Sequence, residues 1–187
     1  MLLEGLRGYR NFPGGFKAYR KAFPTVELSW WHRVGDVGTI RRLRALAPEG
    51  FRFSVYGHKH LTFRPSGEER RTLRRFLRRF RLFGDKRGAV RLWVPEEVEK
   101  EAFREWLDLL EEVARPLGPL AIAFQAEEAL WPLVLERGFA VVNRPGGPFL
   151  YLVDPKGPLP PGQGYLYRSP SQGGGSVLHS RAEVDPD

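Results

Sequence analysis

Apolar and polar residues alternate most regularly in the segment 25–31. One face carries the apolar side chains of Val26, Leu28 and Trp30, and the other carries short hydroxyls around a single carboxylate, Glu27. A period of two residues predicts a β-strand. The carboxylate among hydroxyls indicates that the second face lines a polar interior or a pocket.

The same alternation, interrupted by turn residues, recurs along the chain. It predicts eight strands in all, at residues 2–6, 25–30, 51–57, 89–94, 119–125, 139–143, 149–153 and 164–167. Helical spacing of apolar residues predicts helices between the early strands. The first helix ends at Pro24, and the second runs from the N-cap Asp36 to Pro48. The third begins at the capping box 66–69. The fourth buries the apolar stripe 103–114, and the fifth ends at Gly138.

Predicted strands and helices alternate as far as Gly138, which is typical of parallel βα units. A (β/α)8 barrel normally needs about 250 residues, whereas this chain has 187. We therefore predict an α/β fold, a compact or incomplete TIM-type barrel with its late helices reduced to loops. Residues 1–168 would form this single domain and 169–187 a flexible tail. An open doubly wound sheet is the alternative, although segment 5–8 lacks the glycine spacing of its phosphate loop.

Composition and charge restrict the chemistry. The absence of cysteine excludes disulfides, thiolate metal ligands and thiol nucleophiles within the chain. A net charge of +8, carried mostly by arginine, favours attraction to polyanions, but abundant Arg and Pro with little Asn and Gln are also typical of a thermophile. No signal peptide or membrane-spanning run is visible, so we expect a cytoplasmic protein without membrane attachment.

Three segments are similar to those of a known family. FPTVEL at 23–28 resembles an F-x-T-V-E-I/L strand, APEGFRFSV at 47–55 resembles T-P-x-G-F-x-F-x-V, and GLRGY at 5–9 stands where G-T-S-G-W is usual. These motifs and their spacing resemble the domain-of-unknown-function 72 family, also called YecE-like, from about Gly5 to Tyr167. The resemblance implies a TIM-type barrel, and it implies no particular reaction because the activity of that family is not established.

Most polar positions that would line the mouth of such a barrel differ from the family pattern. The usual K-x-H after the third strand reads YGH at 56–58, E-F-R-H reads AFQA at 123–126, and Y-V-R-L-H reads YLVDP at 151–155. Trp93 replaces the usual glutamine of the fourth strand. The resemblance therefore implies a divergent, shortened member with degraded catalytic residues.

Strand parity places several side chains on the same inward face as Glu27. They are Arg52, Ser54, Tyr56, His58, Arg91, Trp93, Gln125 and Tyr151. A carboxylate inside a barrel must be neutralised, so we expect Glu27 to pair with Arg91 or Arg52. Active sites of parallel barrels lie at the carboxyl ends of the strands, which makes Glu27 and His58 the candidate catalytic residues.

Aromatic and basic residues near the predicted strand ends favour a phosphate-bearing or nucleic-acid ligand at the carboxyl-side mouth. The candidate binding residues are Trp31, His32, Arg33, Tyr56, Lys59, Arg91, Trp93 and Tyr151. Two alternatives are a phosphoester or glycoside hydrolase that uses Glu27 and His58, and a non-catalytic scaffold with a protein partner. Four histidines are too few for a multi-metal hydrolase, so we predict neither a metal nor a cofactor. The oligomeric state stays open.

Overall fold

The structure, a computed structural model, describes residues 1–29, 36–57 and 67–170. Eight parallel strands form one sheet in the order β6-β5-β4-β3-β2-β1-β8-β7. They are β1 (Leu2–Arg7), β2 (Thr25–Leu28), β3 (Arg52–Gly57), β4 (Arg87–Trp93), β5 (Ile122–Gln125), β6 (Ala140–Val141), β7 (Leu150–Val153) and β8 (Gly164–Arg168). The helices between them are α1 (Gly15–Ala22), α2 (Val37–Leu46), α3 (Gly67–Arg81), α4 (Lys100–Ala114) and α5 (Trp131–Glu136).

The predicted fold class is confirmed, as a nearly closed barrel with helices between its strands. The connections β6–β7 and β7–β8 contain no helix, as predicted. Two strands are each three residues shorter than predicted, since β5 begins at Ile122 and β6 contains only two residues, and the other strand ends lie within two residues of their predicted positions. The capping-box serine and most of the predicted tail lie outside the described residues. None of the described helices is long and apolar enough to cross a membrane.

The barrel seam between β6 and β7 depends on one asparagine. The backbone N–H of Asn143 donates to the carbonyl of Tyr151 at 2.9 Å. Its side-chain amide donates to the carbonyl of Val153 at 3.1 Å and accepts from the N–H of Val153 at 2.8 Å. Asn143 has φ 63°, a left-handed conformation that asparagine tolerates better than most residues. Its side chain thus replaces the ladder that two residues of β6 are too short to form.

The barrel interior is filled unequally from its two sides. β4, β5 and β6 contribute small side chains, Ala89, Ala123 and Ala140, whereas β7 and β8 contribute Tyr151 and Tyr167, and all five are fully buried. The two tyrosine rings lie 5.4 Å apart. Large side chains on one wall therefore fill the volume that small ones leave on the other, as close packing requires.

Outward-facing strand residues bury the apolar stripes of the helices, as the alternation predicts. Val26, Phe53, Val90 and Phe124 are all less than 1% exposed and belong to one cluster with the helix side chains. Within the described part of the chain no helix covers β7, and the segment at Gly162 packs there instead, since a Cβ added at Gly162 would lie 2.9 Å from Leu150 Cδ1. A loop therefore shields this wall of the barrel.

Candidate binding site at the carboxyl mouth

Glu27 lies inside the barrel and is 0% exposed, as are Thr25 beside it on β2 and Ser54 on β3. Its position follows from the alternation, which directs Val26 and Leu28 towards the helices and Glu27 towards the barrel axis. In the sheet register, Glu27 lies between Arg7 of β1 and Ser54 of β3. The predicted inward orientation of this carboxylate is confirmed.

Arg91 of β4 neutralises Glu27 through a two-pronged ion pair, as predicted. Its Nε donates to Oε2 at 2.8 Å and its Nη2 to Oε1 at 2.7 Å. The hydroxyl of Tyr151 donates a further short hydrogen bond to Oε2. Arg52, the other predicted partner, instead donates from Nη1 to the carbonyl of Phe51. A bidentate guanidinium is a strong and geometrically specific partner for a carboxylate.

These contacts determine the protonation states inside the barrel. Burial by itself raises the pKa of Glu27, but the charge and hydrogen bonds of Arg91, with Arg7 and Tyr151, bring that pKa below its usual value. Burial and then the charge of Glu27 raise the pKa of Tyr151 well above its usual value. Glu27 is therefore ionised and Tyr151 neutral at physiological pH, and the tyrosine acts as a hydrogen-bond donor.

Arg91 is itself buried, with 3% of its side chain exposed, and it connects this pair to residues at the mouth. Its Nη1 donates to Oε1 of the exposed Gln125 at 2.7 Å, and its guanidinium lies 3.8 Å from the centroid of the Tyr56 ring. Trp93 is half-buried and pairs in register with Gln125. A cation, an amide and two aromatic side chains thus meet at the carboxyl ends of β3, β4 and β5.

A second group of charged side chains, centred on Arg7, lies at the carboxyl ends of β1, β7 and β8. Arg7, with 20% of its side chain exposed, lies 3.5 Å from Glu27 and 3.7 Å from Asp154. Asp154 accepts hydrogen bonds at 2.7 Å from both the backbone N–H and the hydroxyl of Ser169. Burial opposes its ionisation, but these bonds and the charge of Arg7 lower the pKa of Asp154. Arg7 therefore bridges two ionised carboxylates.

Sequence reasoning missed two features of the site. Tyr167 lies deeper in the barrel and bonds to Ser54 Oγ at 2.6 Å and Thr25 Oγ1 at 2.7 Å. At the mouth end, the guanidinium of Arg144, after β6, lies 4.3 Å from the ring of Trp131, which follows β5. The alternation of Tyr165 and Tyr167 in β8 is a signal that points to the first feature, whereas only the fold brings Arg144 and Trp131 together.

The structure brings together Glu27, Tyr56, Arg91, Trp93 and Tyr151 among the candidates from the sequence. The other candidates, Trp31, His32, Arg33, His58 and Lys59, lie outside the described residues. Within the ranges 1–29, 36–57 and 67–170, no group of three His, Asp or Glu side chains has the arrangement of a metal site.

The parallel strand order and the helices between the strands define an α/β barrel of the TIM type. The family described as "Protein of unknown function DUF72" matches residues 9–132, more than half of the chain, and the protein belongs to this family. Among curated proteins, none matches the sequence.

Solved structures agree with this assignment at the level of fold. A DUF72 family protein from Enterococcus faecalis V583 is 14% identical with a TM-score of 0.67, over 98% of this chain and 96% of that one. A second structure of that protein gives 13% identity and a TM-score of 0.69, over 98% and 94%. D-psicose 3-epimerase in the presence of D-fructose is 11% identical with a TM-score of 0.56, over 89% and 84%. At such low identity, these similarities establish the barrel and no chemistry.

Proposed function

We propose that the carboxyl-side mouth binds a phosphate-bearing ligand, with a nucleotide unit, free or within a nucleic acid, as the best fit. The observation that carries this proposal is the ionised Arg91 guanidinium, which lies over the Tyr56 ring, 3.8 Å from its centroid, and bonds to the exposed Gln125. Guanidinium groups recognise phosphate, and neighbouring aromatic faces stack with bases. Trp93 extends the aromatic surface beside them.

Hydrolysis by paired acids fits the same residues less well. Such a mechanism needs one protonated carboxyl group as a proton donor beside an ionised one. Glu27 and Asp154 both have lowered pKa values, and Arg7 lies between them. In the alternative of a hydrolase that uses Glu27 and His58, His58 would therefore have to be the proton donor. Turnover of phosphoester or glycoside substrates, abolished in Glu27→Gln with the barrel intact, would establish that alternative.

The charge around the mouth limits the size of the anionic group. Exposed carboxylates at Glu96, Glu97, Glu127 and Glu128 follow β4 and β5, at the carboxyl end of the barrel. They repel a long polyanion from this side. The proposal is accordingly a small ligand or a single nucleotide of a longer chain, held by stacking and one or two guanidinium groups.

Calorimetric titration with AMP and with inorganic phosphate tests this proposal. Trp93→Leu removes a stacking face and should weaken AMP binding by about 5- to 150-fold, since stacking contributes about 1–3 kcal/mol per base. Binding of inorganic phosphate should be unchanged. Phe149→Leu is the matched control, because Phe149 is a half-buried aromatic residue at the opposite end of the barrel. Failure of the wild-type protein to bind either probe at low salt, or equal losses in both variants, would overturn the proposal.

The alternative of a non-catalytic scaffold with a protein partner predicts different observations. A stable oligomer or a protein that co-purifies stoichiometrically, together with no nucleotide binding, would favour it. Sedimentation velocity over a range of concentrations measures the first of these properties.

A further inference from the structure

We propose that the outer surface of α2 and α3 docks the phosphate backbone of a nucleic-acid duplex, independently of the barrel mouth. The surface, called here the arginine face, consists of exposed residues on two neighbouring helices. They are Arg41, Arg42, Arg71, Arg74, Arg75, Arg78 and Arg81. The proposal goes beyond the ligand of the mouth and uses none of its residues.

The arginines of α3 form a single stripe. α3 buries Leu73, Phe76, Leu77 and Phe80 against the barrel. Spacings of three and four residues then bring the exposed arginines from 71 to 81 onto the opposite side of the helix. At 1.5 Å per residue the stripe is about 15 Å long, which corresponds to roughly four phosphates along one strand at 3.4 Å each.

Carboxylates offset the arginine face only in part, although Glu112 of α4 lies within electrostatic reach of Arg74. Among the described residues, the ion pairs of α3 and its surroundings join Arg70 to Glu112 and Arg44 to Asp85, and none involves a member of the arginine face. A solvated helix usually offsets such a charge run with acidic residues at the next turn. Here the acidic residues of α3 are confined to its first turn, at Glu68 and Glu69, and the others nearby lie on α4, at Glu101, Glu105, Asp108, Glu111 and Glu112.

The position of α2 extends the positive surface on the side away from α4. Arg44 of α2 donates to the carbonyl of Leu82, just after α3, at 3.2 Å, so the two helices meet at their carboxyl ends. Arg41 precedes Arg44 by about one turn and therefore lies on the same side of α2, towards α3. The acidic α4 borders the other side of α3, where Arg70 contacts Glu112 at 2.9 Å. A polyanion is thus attracted to α2 and α3 and repelled at α4.

The composition of the face specifies the kind of nucleic acid. Single-strand binding depends on aromatic side chains that stack with bases, and the exposed positions of the stripe contain arginine only. Arginines without aromatic neighbours contact phosphates and do not read sequence. The arginine face therefore suits a duplex, which presents a regular array of phosphates with its bases already paired.

The salt dependence of binding to a fluorescent 20-base-pair duplex tests the inference. Four phosphate contacts along the stripe predict a slope of log K against log salt of about −3.6. The triple variant Arg71→Gln, Arg75→Gln, Arg78→Gln should reduce the steepness by about 2.7 and weaken binding about tenfold or more near 100 mM salt. Glutamine is a good helix former, so circular dichroism and Tm should be unchanged.

A control triple variant removes the same charge elsewhere. Lys17→Gln, Lys100→Gln, Lys156→Gln lowers the net charge equally at exposed positions outside the arginine face. It should retain most of the affinity and the slope. Equal losses in the two triple variants, or no duplex binding by the wild type at low salt, would overturn the inference. Loss of duplex binding in Trp93→Leu but not in the arginine variant would do the same, because it would assign the binding to the mouth. The arginine variant should bind AMP as the wild type does, so the two proposals fail separately.

Discussion

Removal of the charge on Glu27 should destabilise the barrel strongly. Glutamine has the same shape, but its NH2 group cannot accept a hydrogen bond, so Arg91 loses at least one of its contacts at 2.7 and 2.8 Å. Arg91 would remain 3% exposed with an uncompensated charge. Breaking such a buried pair costs about 3–5 kcal/mol. In a chain of this size, about 2–4 °C of Tm is lost per kcal/mol, which predicts a decrease of roughly 6–20 °C.

Urea denaturation followed by tryptophan fluorescence measures the free energy of unfolding of Glu27→Gln, Arg91→Met and the double variant. The double variant buries neither charge, and replacing a buried pair by apolar groups is often neutral or stabilising. It should therefore be more stable than Glu27→Gln by about 2 kcal/mol or more. Glu112→Gln is the control, since it breaks an equally bidentate pair with Arg70 that is exposed and should barely change stability.

The pH dependence gives a second measure of the same interaction. Because the pKa of Glu27 is lowered by folding, its contribution is fully present above its ordinary value of 4.5 and is lost as the pH falls through the lowered pKa. The stability difference between wild type and Glu27→Gln should be constant from neutral pH down to this value and shrink below it. A loss under about 1 kcal/mol at pH 7, or strict additivity in the double variant, would refute the reasoning.

Three further substitutions test other parts of the barrel by the same denaturation assay. Tyr167→Phe removes a buried hydroxyl bonded at 2.6 and 2.7 Å and should cost about 1–3 kcal/mol without a cavity; an unchanged stability would contradict its structural role. Asn143→Ala loses both side-chain contacts to Val153 and also strains a φ of 63°, so it should be less stable than Asn143→Gly, which loses only the contacts. Gly5→Ala would bring a Cβ within 2.0 Å of the Thr25 carbonyl, so we expect a loss above about 3 kcal/mol or insoluble protein; normal folding would show that β1 and β2 separate easily.

Several features of the site could be predicted from the sequence because they depend on one strand at a time. Alternation alone gives the parity of each residue, and it assigned Glu27, Tyr56, Arg91 and Tyr151 to the same interior. The cost of burying a charge then required a basic partner for Glu27 on that face, and Arg91 is this partner. Chain length predicted the missing late helices for an equally simple reason, since the connections after β6 are too short to contain them.

Other features depend on how far each strand is shifted along the barrel axis relative to its neighbours. The alternation within a single strand carries no information about that shift. Tyr165 and Tyr167 have the same parity, but only the register with β1 and β7 brings Tyr167 level with Ser54 and Thr25. The closure of the seam by Asn143 requires two strands that are not paired by their backbones to approach each other. The alternation of residues along the chain therefore determined which side chains enter the barrel. Only the tertiary structure decided which of them touch, because barrel closure sets the relative heights of all eight strands together.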